Sequence, residues 1–265
     1  MVSTTRVDQA RSAYAQKDLK KTKHAHSHEA FDKEQSTEGH ADFLGDMVYG
    51  ALDGIVTTFA VVAGAAGAGL GAGVILVLGF ANLIADGLSM AVGNYLSMKS
   101  DQDYYEHEYK RESWEVDNYP KGEEEEIRQI YKKKGFSGQK LEKLVELITS
   151  NKTVWVETMM HEELGMLQEQ KSPIKAGLYT YFAFLVAGFV PLLIFVISLF
   201  VPLEAGIAFP IAFALTFLTI FIVGSLRSLV ILKPWYIAGL EMLIIGGLTA
   251  IISYAVGSVL GSLVL

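Results

Sequence analysis

Five long apolar runs constrain this chain more than any other feature. A helix needs about 20 consecutive, mainly apolar residues to cross the hydrocarbon core of a bilayer. Residues 46–68, 72–98, 174–200, 205–230 and 236–262 each supply such a run. Hydrophobic residues make up 51% of the sequence, a share that a soluble domain can also reach, so it is their segregation that decides. Gly188, Pro191 and Pro210 fall inside the runs, where membrane helices tolerate them better than soluble ones. The expectation is an all-α membrane protein with five transmembrane helices and a cytosolic helical domain inserted between the second and third. Its segments are a polar tail over 1–42 that reads as disordered, spans one and two over 43–98, the insert over 99–172, and spans three to five over 173–265. The tail has no apolar stretch to serve as a signal peptide. There is no cysteine, which excludes disulfides and thiolate metal sites, and a net charge of −7 argues against nucleic acid as a partner.

Basic residues orient the spans. The tail holds seven Lys and Arg, the 99–175 segment thirteen, and the last connection Arg227 and Lys233, which together are all 22 in the protein. With five crossings, every one of them falls on the side of the N-terminus. The positive-inside rule makes that side, and with it the insert, cytosolic.

The insert carries 17 of the 29 Asp and Glu residues. Good helix formers over 99–116 continue the second span, and further helices are expected over 123–134, 138–149 and 151–169, separated by Pro120, Gly122 and Gly135 and stopped by Ser172-Pro173. Glu108, Glu112 and Glu115 fall at i, i+4 and i+7, one stripe of a helix, and Glu123 and Glu126 are neighbours on the next. Like charges so placed repel, and a divalent cation would reverse that repulsion. Met159 and Met160 precede Glu163 by four and three residues. Carboxylates suit hard and borderline cations while thioether sulfur favours softer transition metals, so a mixed Glu and Met site points to iron-like ions. The competing readings are a solvated acidic face and methionines that pack a core. His24, His26 and His28 form an alternating tract in the tail, with His40 beyond, of a kind that can hold metal. His107 and His161 lie in the insert, where the Glu-x-x-His pairs of di-iron bundles are missing.

Asp46 and Asp53 share a face of the first span, and Asp86 lies in the second. Carboxylates at membrane depth mark ion or proton paths by default. Asn82, Asp86, Ser89 and Met90 fit one face of the second span, a polar stripe that ends in a soft donor. Glu241, near the start of the fifth span, is a further candidate or an interfacial residue. Gly50 and Gly54 form a G-x-x-x-G pair, which suggests dimerisation through the first span. Three functions compete: a divalent-metal transporter, a metal-buffering or sensing membrane protein that does not transport, and an intramembrane aspartyl protease. The last is disfavoured because Gly50-Ala51-Leu52-Asp53 lacks the second glycine of the protease Gly-x-Gly-Asp sequence. No enzyme activity is expected.

The string Asp46-x6-Asp53-Gly54 with VTTFAVVAG, then ADGLSMAVGNYLSMKS, then an acidic insert closing in Met159-Met160-x-x-Glu163-Leu164-Gly165, resembles the vacuolar iron transporter family, in its insert-bearing branch. The resemblance runs from about residue 42 to the C-terminus. It implies a homodimer in the lipid bilayer that exchanges cytosolic Fe²⁺, or a relative such as Mn²⁺, for protons, with the ion as substrate and no prosthetic group. It implies a path past Asp46, Asp53 and Met90, and cytosolic metal ligands at Glu112, Glu115, Glu123, Glu126, Met159, Met160 and Glu163. Many family members carry glutamate where this chain has Asn82 and Asn94, a departure that bears on proton coupling and ion choice. A bacterial plasma membrane and a vacuolar-type organelle membrane fit the sequence equally.

Overall fold

A computed structural model of the chain describes residues 6–27, 43–169, 171–201, 205–231 and 233–264. Among these residues the structure is entirely helical. Five of its helices are long and apolar enough to cross a membrane. The chain divides into two compact units, one of residues 1–91 and 175–265 and the other of residues 92–174.

The first unit opens with two short helices, α1 (Arg6–Ala15) and α2 (Leu19–Ala25), which corrects the expectation of disorder for that part of the tail. Asp18 explains the second of them: its side chain accepts from the backbone N–H groups of Lys20 and Lys21, two donors a helix start leaves orphaned. His24 and His26 are exposed, and the His26 ring is bonded to the Thr22 carbonyl at 2.8 Å. His28 and His40 lie outside the described residues.

The apolar helices of this unit are α3 (Leu44–Gly67), the membrane portion of α4 (Ala72–Asn118), α8 (Pro173–Ile197), α9 (Ala205–Leu226) and α11 (Trp235–Val264), with a short turn of helix, α10 (Ser228–Ile231), between the last two. Gly69, at φ 72°, makes the tight turn from α3 to α4 in a backbone conformation that side chains disfavour. The small residues of α3 are used within the subunit. A Cβ at Gly50 would fall on the Thr180 carbonyl, and one at Gly54 on the Phe184 carbonyl, both on α8. Further along, Gly64 and Gly67 meet the backbone of α11 at Ser253 and Tyr254. The G-x-x-x-G pair therefore seats α3 against its own neighbour, the close approach such motifs permit.

The second unit holds the remainder of α4, with α5 (Pro120–Lys133), α6 (Gly138–Thr149) and α7 (Lys152–Glu162). Helix α4 is unbroken over its 47 residues, so the polar 99–118 stretch does continue the second span. Pro120 occupies the first turn of α5, where its missing N–H costs nothing. Gly135, at φ 98°, ends α5. Asn151 caps α7 by accepting from the N–H groups of Thr153 and Val154. The expectation that this helix runs to residue 169 fails at Glu163. Gly165 turns left-handed at φ 66°, and the Leu164 and Met166 amides donate back to the carbonyls of Met159 and Met160, closing the helix end. Val116, Ile127, Val145, Trp155, Val156, Met159 and Met160 form the core of this unit.

Candidate metal path and acidic metal site

Within the membrane unit, Asp53, Asn82, Asp86 and Met90 are each half-buried. Asp53 on α3 and Asp86 on α4 lie near enough for their charges to act on each other, so the turn at Gly69 folds two carboxylates from consecutive spans into one neighbourhood. The Asn82 amide, one helical turn before Asp86, is buried with its Nδ2 lacking a hydrogen-bond partner. Met90 packs against an apolar cluster that includes Leu83, Phe184 and Leu192. Asp46 stands in the first turn of α3, where the positive end of the helix dipole lowers the cost of an anion. Glu241 has a different role: it pairs with Lys233 at 2.7 Å and Arg227 at 3.4 Å, which ties the start of α11 to the connection before it.

In the second unit the glutamate stripe is real. Glu112 is 1% exposed and Glu123 6%, an unusual depth for carboxylates. Each leaves its Oε2 without a hydrogen-bond partner. Burial pushes the Glu112 carboxyl up to about 7. Arg111 pulls the other way, while Glu163, Glu115 and Glu126 add repulsion. Burial also pushes Glu123 up to about 7, with Glu126, Glu112, Glu115 and Glu163 repelling it further. Glu163 is raised too, by partial burial and then by Glu126. All five glutamates of the expected ligand set, carried by α4, α5 and the end of α7, thus lie near enough to repel one another. Glu126 and Glu163 remain exposed to solvent.

Met159 and Met160, at 0% and 1% exposure, pack in the apolar core. Among the described residues no three His, Asp or Glu side chains stand in a ready ligating arrangement. The carboxylates are gathered rather than closed around a point. His107 pairs with Glu108 and His161 with Glu162, and both rings are exposed.

Sequence reasoning passed over one participant. Arg111 donates from Nε to Glu108 at 2.8 Å, from Nη2 to Glu112 at 2.5 Å, and from Nη1 to Glu115. The signal was present in the spacing, because Glu108 and Glu115 stand at i−3 and i+4 from Arg111 on one helix face, with Glu112 beside it in sequence.

A family model described as the VIT family matches residues 44–258, which takes in four of the five apolar helices, most of the fifth, and the whole acidic unit. The chain is 36% identical to a vacuolar iron transporter of Toxoplasma gondii, over 98% of its own length and 90% of that protein's. It is 32% identical to one from Plasmodium berghei over 95% of both chains. Vacuolar iron transporter 1 of Tulipa gesneriana is 30% identical over 83% of this chain and 88% of its own. These relatives are transporters rather than enzymes, and the protein, with its five apolar helices, is a member of the VIT family of membrane transporters.

Proposed function

We propose that the protein moves Fe²⁺, or a related divalent ion such as Mn²⁺, out of the cytosol into an organelle, in exchange for protons and as a homodimer. The observation that carries this reading is the approach of Asp53 to Asp86 within apolar helices. Two carboxylates at membrane depth are costly, and a cation or a proton is what repays that cost. The 92–174 unit faces the cytosol, the side to which the basic residues assign it, and collects the ion with Glu112, Glu115, Glu123, Glu126 and Glu163. Met159 and Met160 complete that ligand set by turning their sulfurs toward the glutamates when an ion arrives. The ion then passes Asp46, Asp53, Asn82, Asp86 and Met90. Ligating carboxylates must be deprotonated, so protons arriving from the far side compete for the same oxygens and release the metal. Asn82 is an amide, which leaves Asp53 and Asp86 as the proton acceptors of the path. The organelle assignment follows the similarity to vacuolar iron transporters, and the dimer follows the resemblance, since Gly50 and Gly54 are engaged inside the subunit.

Reconstitution into sealed vesicles tests the reading. Fe²⁺ uptake under anaerobic conditions is expected to rise when the receiving side is acidic and to vanish in Asp53→Ala. Uptake indifferent to the pH gradient removes proton exchange, and full transport by Asp53→Ala removes the path.

A further inference from the structure

One guanidinium serves three carboxylates. Arg111 spends all three of its nitrogens on Glu108, Glu112 and Glu115, and its charge also acts on Glu163. Glu112 is 1% exposed, yet Arg111 satisfies only its Oε1 and leaves Oε2 without a partner. Glu123, likewise buried, has an unpartnered Oε2 and feels only repulsion from Glu126, Glu112, Glu115 and Glu163. The patch is thus under-compensated, and its single-charged partner sits on two of the oxygen-bearing groups that a divalent ion needs. Arg111 itself is 38% exposed at its side chain, so it has solvent to swing into.

We propose that Arg111 is a tethered counter-cation that occupies Glu112 and Glu115 when the site is ion-free, is displaced when a divalent ion takes those carboxylates, and thereby sets the concentration at which the site loads. The inference rests on the reading of these glutamates as metal ligands. Two positive groups cannot share the same carboxylates without strong repulsion at such short range. Arginine suits the task because its fork holds two carboxylates apart in fixed geometry and it never loses its charge. A site with a built-in competitor binds more weakly than its ligands alone would, which a transporter needs if the ion is to move on. Arg111 is therefore a positioning residue, acting on the ion only through the glutamates.

The test is a titration of the purified full-length protein in detergent with Mn²⁺, free Mn²⁺ being read by electron paramagnetic resonance, at pH 7.5. Arg111→Gln is expected to bind Mn²⁺ at least about tenfold more tightly than the wild type, the scale of removing one facing like charge. Arg111→Lys, which restores the charge, is expected to return the affinity towards the wild-type value. A folded Arg111→Gln that binds equally or more weakly overturns the proposal, since a residue that merely braces the glutamates would give that result. A second arm needs no variant. Modification of Arg111 by phenylglyoxal, followed by mass spectrometry of its peptide, is expected to speed up when Mn²⁺ is added to the wild type, and an unchanged or slower rate overturns the proposal. A wild type that binds no Mn²⁺ at all sinks the ligand reading itself, a different outcome from either.

Discussion

Replacing Glu112 by glutamine should stabilise the ion-free second unit at alkaline pH while weakening its hold on metal. The change is nearly isosteric and keeps an oxygen to accept from Arg111, so it isolates the charge. In the folded protein the Glu112 carboxyl sits at about 7 against an ordinary 4.5. That difference, at about 1.4 kcal/mol per pH unit, sets a ceiling of roughly 3.5 kcal/mol on the cost of ionising it in place. Between those two values the folded state holds a proton that the unfolded chain has lost. The contribution is therefore complete below pH 4.5 and disappears as pH rises through 7. Glutamine removes that slope. At pH 8 a gain of about 1–3 kcal/mol is expected, less whatever the Arg111 pair contributes, and at pH 4 close to none. For a unit of this size 1 kcal/mol corresponds to roughly 4–8 °C in midpoint. Trp155, buried in the core of the unit, reports the transition by fluorescence once the exposed Trp114 and Trp235 are replaced by phenylalanine. The measurement is made with chelator present, then with saturating Mn²⁺, which should reverse the order of the two proteins. A midpoint for Glu112→Gln that is no higher at pH 8, or raised equally at both pH values, would refute the claim that burial burdens this carboxylate.

Three other outcomes can be checked directly. Mn²⁺ affinity should fall on going from pH 8 to pH 6, by up to about tenfold per pH unit for each proton that must leave Glu112 or Glu123, as measured by titration at the two pH values. Gly54→Ala places a methyl group against the Phe184 carbonyl of α8, and overpacking of this kind costs about 1–3 kcal/mol, visible as a lower thermal midpoint and lost monodispersity in gel filtration. Arg128→Ala breaks pairs with Glu124, Glu125 and Glu142, whose side chains are 44–60% exposed; exposed pairs contribute under about 1 kcal/mol, so Mn²⁺ titration should give wild-type affinity, in contrast to any change at Arg111.

Much of the architecture was legible because it rests on local rules. Apolar run length located the five spans, and Pro120 and Gly135 punctuated the helices between them, though Gly122 lies inside α5. The end of α7 was misread because polarity carries on through Gln168 and Glu169, whereas a left-handed Gly165 stops the helix first. The two tail helices were missed because their residues are polar, and the second is capped by Asp18, which composition does not reveal. For the site, helical spacing found the glutamate stripe, since i, i+3 and i+4 relations survive folding unchanged. It could not assign Gly50 and Gly54 to a particular neighbour, because a small-residue pair reads the same whether the helix it meets belongs to the same chain or another. Nor could it show that Met159 and Met160 are fully enclosed, or that Arg111 reaches three carboxylates at once; both depend on how α4, α5 and α7 pack.

The glycine contacts of α3 divide the membrane helices by what meets at each joint. Where α3 meets α8 at Gly50 and Gly54, and α11 at Gly64 and Gly67, backbone lies on backbone with no side chain to rotate out of the way. The glycines of α4 meet something softer, Gly79 the branched end of Leu192, and Gly87 the rings of Phe184 and Tyr181, groups that can change rotamer. Asp53 thus stands on a helix seated backbone to backbone, while Asp86 and Met90 stand on one whose glycines meet side chains.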